Sequence, residues 1–510
     1  GAQITITNVD TGFVRNTASN EAGVFSARDL PIGRYDVQVE AAGFKTFRQT
    51  GITLNVGATV RSDATLQVGE VVESVTVEAN AVQVQADSNE ISQTITADLV
   101  SLLATNGRNV VQLAALVPGA ASSIPDFDTP MAQTQSRNIA YNGQRSDHNN
   151  WIINGGEAYD RGSGGIMLVS PSQDAIQEFK VLTSNYSADL GNSSGGMILM
   201  ATKSGTKEFH GALWEYVRND ALDANTFFAN LNGRPKPKLR YNMFGFNLGG
   251  PVPIGEEKKT FFFYNMEWRR RINGNTINAT AVPRVLTTGD FSSLLPVDAG
   301  GSCVGSTCGR IKIPATTDPD FIAKVEQYGY KPSTATKTNY FPNNIIPPGL
   351  LSPAAKSVLA AGLFPGPNAA DGRYYASANQ VTNYREEAVR IDHQFNEKLS
   401  VFGSLIYDHG TDRNIPPLWA GGTFDTAGSV MAVPSWAGVV HATHTISPTL
   451  LNEISFNFNG NNLTITNFGV WEKPADYKVQ NFFNANRDNK LPGISMGSPY
   501  GGRYTPGWWP

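Results

Sequence analysis

From residue 208 onward, apolar and polar residues alternate in short runs, and the stretches between those runs alternate in length. The runs 209 to 219, 240 to 250, 260 to 271, 384 to 395, 399 to 408, 434 to 446 and 450 to 460 have the period of two that predicts β-strands. Connections around Pro251 to Lys259, Asn396 to Lys398 and Ser447 to Thr449 are tight, while the others run from about 20 to over 100 residues, the asymmetry of a transmembrane β-barrel. In 260 to 270, Phe262, Tyr264, Met266 and Trp268 fall on one face and Asn265, Glu267 and Arg269 on the other. Ile454, Phe456 and Phe458 likewise oppose Glu453, Ser455, Asn457 and Asn459, and Phe244, Phe246 and Leu248 oppose Met243, Gly245 and Asn247. A barrel wall places the apolar set against lipid and the polar set in the lumen. The reversed assignment describes a soluble barrel or sandwich, and alternation alone does not separate the two.

Ahead of the barrel the pattern changes twice. Residues 1 to 68 alternate short strands with turn signals at Asp10 to Gly12, Pro31 to Gly33 and Ala42 to Gly43, the spacing of a small β-sandwich in which Tyr35, Val37 and Val39 share a face. Residues 69 to 80 read as a linker whose centre, Glu73 to Ala79, is β-branched. Such a segment either adds to another protein's sheet edge or is an ordinary strand that ends the sandwich or starts the next domain. From 81 to 206 the pattern is mixed α/β. ADLVSLLATNGRNVVQLAALVPG predicts two short helices stopped at Pro118-Gly119, and Ser172 caps a helical start that runs into a strand.

Composition narrows the class. No apolar run has the length of a membrane helix; the best, Leu99 to Ala121, is interrupted by Asn106, Arg108, Asn109 and Pro118. A membrane protein with no such helix must be a closed barrel. Lys plus Arg number 40 against 44 Asp plus Glu, a net charge of −4 that argues against a nucleic-acid partner. The chain opens within a strand and without an export signal, implying a mature or cropped product, and seven strands imply the first part of a longer barrel. The two cysteines, Cys303 and Cys308, lie in the longest connection and suggest a small disulfide, with two unpaired thiols as the alternative.

Catalytic chemistry finds no support. His148, His210, His393, His409, His441 and His444 have no Glu or Cys at ligand spacing, and His441 and His444 face opposite sides of one strand, so no metal or other cofactor is expected. The glycine-rich pieces lack the Gly-Lys-Ser/Thr of a phosphate loop, and no serine sits in a nucleophile elbow. Trp151, Tyr159, Tyr374, Tyr375 and Trp419 are candidate ligand contacts in external loops, with loop packing or an interfacial belt as the alternative role.

The run DLPIGRYDVQVEAAGFK resembles the carboxypeptidase regulatory-like domain, a transthyretin-like sandwich without peptidase residues here. YNGQRSDHNNWIINGG and PSQDAIQEFKVLTSNYSADLGNSSGGMILMATKSGT resemble the plug of TonB-dependent outer-membrane receptors, with Asn154-Gly155 where Asp-Gly is commoner. HGALWEYVRND, YNMFGFNLGGPV, KKTFFFYNMEW and FPNNIIPPGLLSPAAKSVLAAGLFPGPN resemble the Oar-like branch of that family. The resemblance implies a regulatory-like domain, a plug at 81 to 206 and a partial barrel at 207 to 510, in a bacterial outer membrane and in contact with its lipid. It also implies import of a siderophore, oligosaccharide or peptide, driven by the inner-membrane TonB complex gripping a box at Val75, Thr76, Val77, Glu78 and Ala79. Anchoring of surface loops for adhesion, secretion or sorting is the alternative within that branch, and a soluble carbohydrate-binding multi-sandwich is the alternative outside it.

Overall fold

The computed structural model describes residues 1–69, 74–78, 89–103, 105–123, 138–160, 162, 166–225, 227–231, 233, 235–253, 259–294, 310–418, 421–447, 450–470, 472–473, 491, 493–496 and 502–504. Cys303, Cys308, Ala79 and Trp419 lie outside the described residues.

The N-terminal unit is a sheet of β1 (Gln3–Asn8), β2 (Val14–Ala18), β3 (Gly33–Glu40), β4 (Thr46–Leu54) and β5 (Ser74–Glu78), in the order β2-β1-β3-β4-β5. Its strands break at the three turn signals. Alternate residues Ile4, Ile6, Tyr35, Val37, Val39, Phe47 and Ile52 form the core. The second layer is built from extended chain carrying Phe25, Ala27, Leu30, Val60, Ala64 and Leu66. Strand β5 falls in the stretch expected as a linker and pairs in parallel with β4, from Thr46 opposite Ser74 to Thr50 opposite Glu78.

The next unit centres on β6 (Ile91–Thr96), β7 (Asn150–Ile153), β8 (Gly156–Glu157), β9 (Ile176–Ser184) and β10 (Met197–Thr202), ordered β8-β7-β10-β9-β6. Two short helices, α1 (Ala97–Leu102) and α2 (Val111–Ala114), stand where the sequence predicts them, separated by a 3-10 turn at Asn106–Arg108. Ser172 accepts from the Asp174 N–H at 3.2 Å, but only one 3-10 turn follows before β9 begins. The β-branched and aromatic run after Ala175 takes over as strand.

The remainder is one antiparallel wall: β11 (His210–Asn219), β12 (Leu239–Pro251), β13 (Thr260–Thr280), β14 (Arg373–Asn396), β15 (Leu399–Asn414), β16 (Ala427–Ser447) and β17 (Leu450–Asn461). A further segment, β18 (Thr464–Gly469), follows in the Gly- and Asn-rich stretch after β17. It pairs with β16 in the register β17 already holds, so the two form one strand interrupted opposite Pro434. Pro434 lacks the N–H that would continue the ladder.

The predicted strands are all present, but several are longer than expected. At about 3.3 Å per residue and a tilt of about 40°, the 24-residue β14 is more than twice as tall as an apolar band of about 25 Å, so it continues past the membrane. The connection predicted to exceed 100 residues therefore shortens to 281–372, and 415–426 is shorter still. The long connection has its own core of Ile313, Val325, Phe341 and Leu350. A helix in the same connection runs Pro353–Ala360, with Gly362 at φ 73° behind it.

The face assignment holds along the wall. In β13, Phe261, Phe263, Asn265, Glu267, Arg269 and Arg271 are buried while Phe262, Tyr264, Met266 and Trp268 are half-exposed. Leu213, Leu248, Ile391, Ile454, Phe456 and Phe458 are exposed on the outer face. The inner face is covered because the α/β unit lies against it.

Candidate functional site

The sequence makes the α/β unit a plug by giving it an apolar core that the wall helps to close. Trp151, Ile153, Phe179, Val181, Ile198 and Met200 pack with Val111, Leu113 and Ala114 and with wall residues Ala388, Ile406 and Ala437. Those three wall residues form one row across β14, β15 and β16. Their small or aliphatic side chains let the plug approach closely.

Two residues along each strand, toward the long-loop rim, the next row is polar: Glu267, Glu386, Asp408 and Ser435 are register partners on successive strands and are at most 1% exposed. The plug segment Ser170 to Ser172 is held against this row. The Ser170 N–H donates to Asp408, and the Ser172 hydroxyl donates to Glu267 Oε2 at 3.0 Å. Trp214 Nε1 donates to the same oxygen at 3.0 Å, and Arg269 Nε donates to Glu267 Oε1 at 2.7 Å. Arg269 also reaches Ser170 Oγ at 3.2 Å, and its guanidinium lies 5.0 Å from the Tyr384 ring centre. Asn265 Nδ2 donates to Glu386 Oε2 at 2.8 Å. Buried charge of this density adds little net stability, because desolvation offsets the Coulomb gain. Such a seam can open without a covalent step.

A second seam lies at the tight-turn rim, where the N-terminal sheet meets both other units. Arg15 donates to Thr445, and Asn16 Nδ2 donates to Glu397 Oε2 at 3.1 Å. Thr443 donates to Asp29, and His441 Nε2 lies 3.1 Å from the same carboxylate. Burial pushes the Asp29 carboxyl up, but its bonds to His441 and Thr443 and the charge of Arg15 outweigh this and hold it below its ordinary value. On the plug side, the Val56 N–H donates to Glu178 Oε2 at 2.5 Å and Lys180 Nζ donates to Gly57 O at 2.9 Å. Burial raises the Glu178 carboxyl to about 7, against the lowering effect of the Val56 bond and of Lys180. A cavity of about 680 Å³ separates the sheet, the plug segment Thr202 to Thr206 and the wall.

The predicted site residues divide. Trp151 is corrected: it is a strand residue at 0% exposure in the plug core, since NWII alternates into β7 rather than forming a loop. Tyr159 is half-buried against the same core and donates to Asp147 O at 3.1 Å. Tyr374 and Tyr375 stand together at the long-loop end of β14, donating to Asp425 Oδ1 and Asp371 Oδ2, each at 2.8 Å. Val75, Thr76, Val77 and Glu78 belong to β5, the edge strand of the N-terminal sheet. Glu386 and Asp408 carry only one signal in the sequence, a charged residue on an inward-facing strand position, and Ser170 carries none; their meeting depends on register.

The chain matches the family described as Outer membrane beta barrel domain over residues 201–508 and Carboxypeptidase regulatory-like domain over residues 1–67. It is 25% identical over 304 residues to the TonB-dependent transporter Oar of Myxococcus xanthus, covering 55% of this chain and 26% of that protein. Among solved structures it is similar to the outer membrane transporter YddB from Escherichia coli, at TM-score 0.40 and 10% identity, covering 72% of this chain and 38% of that one. The siderophore receptor PirA from Acinetobacter baumannii is similar at TM-score 0.34 and 11% identity, with 73% and 44% covered. The chain thus spans less than half the length of each of these relatives. With its outward apolar band, inward plug and leading regulatory-like domain, it belongs to the outer-membrane β-barrel family, in the Oar-like arrangement and in the bacterial outer membrane.

Proposed function

We propose that the protein imports a scarce or bulky solute through the outer membrane, with the plug as the gate and an inner-membrane TonB complex as the source of force. The observation that carries this reading is the buried polar row Glu267, Glu386 and Asp408 holding Ser170 to Ser172, a plug-to-wall contact made of reversible bonds. The TonB-dependent transporter Oar, to which the chain is similar, supports the choice of energy source.

Strand β5 is the proposed grip. It is short and lies at a sheet edge, where backbone donors and acceptors can pair with an incoming strand. Tension on β5 reaches β4, and the chain just after β4 holds Glu178 and Lys180 of the plug through Val56 and Gly57. Tyr374 and Tyr375 at the long-loop rim are proposed ligand contacts, with siderophore, oligosaccharide and peptide as the cargo classes to test.

Deleting residues 72 to 80 is expected to abolish uptake while leaving surface binding of the ligand intact. Persistent uptake would reject the assignment of β5. The second reading, a surface protein whose barrel anchors its loops, is favoured by one feature: connection 281–372 has a core of its own. Binding or surface assembly that survives loss of TonB would select it.

A further inference from the structure

We infer that Asp29, His441 and Glu453 form a divalent transition-metal site that clamps the regulatory-like domain to the periplasmic rim of the barrel. One ligand atom from each residue lies within 4.8 Å of the others. The three come from separate places: Asp29 from the N-terminal unit, His441 from β16 and Glu453 from β17. His441 pairs with Ser455 and Thr443 with Glu453, so His441 and Glu453 are diagonal neighbours on one face of the wall.

Two of the three donors, Asp29 and His441, are aimed rather than merely near. Asp29 takes a left-handed backbone, φ 52°, and its carboxylate meets His441 Nε2 and the Thr443 hydroxyl. The imidazole stacks on Phe402, with centroids 5.3 Å apart and planes 21° apart, which fixes where Nε2 points. One imidazole nitrogen and two carboxylates are a donor set suited to zinc, with a remaining position for water.

Surrounding charge selects the kind of ion. Arg15 acts on Asp29, Arg28 on Glu453 and Arg390 on His441. Three guanidinium groups disfavour a hard cation that binds by charge alone, as calcium does through oxygen ligands. A transition ion gains from the nitrogen bond as well. Because the ligands belong to two units, bound metal stabilises the docked arrangement by its differential affinity for it.

The test uses the full-length protein, stripped with chelator and purified in detergent. Zinc, manganese and calcium are each titrated alone, and hydrogen exchange of Val14–Ala18, which faces the rim, is followed in parallel. Zinc is expected to bind once per chain, calcium to show no saturable binding, and protection of Val14–Ala18 to rise with zinc. Asp29→Asn and His441→Gln should each weaken zinc at least tenfold. Glu453→Gln leaves the Asp29–His441 pair and the Thr443 bond in place, so it should lose zinc affinity tenfold while the domain still docks. Absence of saturable zinc binding, full affinity in Glu453→Gln, or protection indifferent to zinc would overturn the site and leave an Asp29–His441 ion pair alone.

Discussion

Arg269 and Glu267, two residues apart on one barrel strand, are each 1% exposed and joined at 2.7 Å where the wall meets the plug. The same glutamate accepts from Ser172 of the plug and Trp214 of the neighbouring wall. One buried ion pair therefore takes part in the contact between two units of the protein.

Replacing Arg269 by Ala should leave Glu267 buried without its guanidinium, at a cost of about 3–5 kcal/mol. The measurement is thermal unfolding in detergent alongside single-channel conductance. A lowered midpoint with more frequent large openings is expected. The paired change Arg269→Met with Glu267→Gln should recover much of the midpoint.

Trp151 is a test of the plug core. Trp151→Ala removes the largest side chain in that core and should cost about 3–5 kcal/mol. Hydrogen exchange should accelerate in β7, β9 and β10 while the wall strands stay protected. Loss of ligand binding with unchanged plug protection would instead restore Trp151 as a contact residue.

Glu178 gives a pH signature. Its carboxyl is raised to about 7 when folded, against an ordinary value of 4.5. The folded plug therefore holds the proton more tightly than the unfolded chain between those values. Stability falls as pH rises from about 4.5 through 7 and levels off above it. Glu178→Gln should flatten that fall, as read from unfolding midpoints between pH 4 and 8.

The lipid face predicts an asymmetry between neighbours in β17. Phe456 points outward with Ile454 and Phe458, while Asn457 is on the lumen side. Phe456→Arg should cost about 2–4 kcal/mol if it sits at mid-membrane depth, and Asn457→Arg much less. Folding into lipid vesicles, followed by gel mobility with and without heating, reads the difference.

Strand alternation made most of the wall legible, because period two survives whether a strand is considered alone or in its sheet. Phe262 to Trp268 and Asn265 to Arg269 could be assigned to faces before any neighbour was known. Strand ends were less legible: β14 extends upstream through Arg373 to Thr382, where polar residues such as Asn379, Gln380 and Thr382 carry no apolar signal. Trp151 misled because an aromatic beside two asparagines reads like a loop, whereas its partner in β10 puts it in a core. The polar row was invisible for a different reason. Glu267, Glu386 and Asp408 are far apart in sequence and meet only once the register of three strands is set. The segment at Val75 reads from sequence as either a grip or a strand of the sandwich; it pairs with β4 at the sheet edge, and its role as a grip is the part left to experiment.

The account stands most directly on uptake and surface binding by the full-length protein in cells with and without a working TonB, using siderophores, oligosaccharides and peptides as probes. It predicts that one class accumulates in cells only when TonB works, with binding retained in its absence. Binding or surface assembly that proceeds unchanged, with no TonB-dependent uptake of any class, would contradict it.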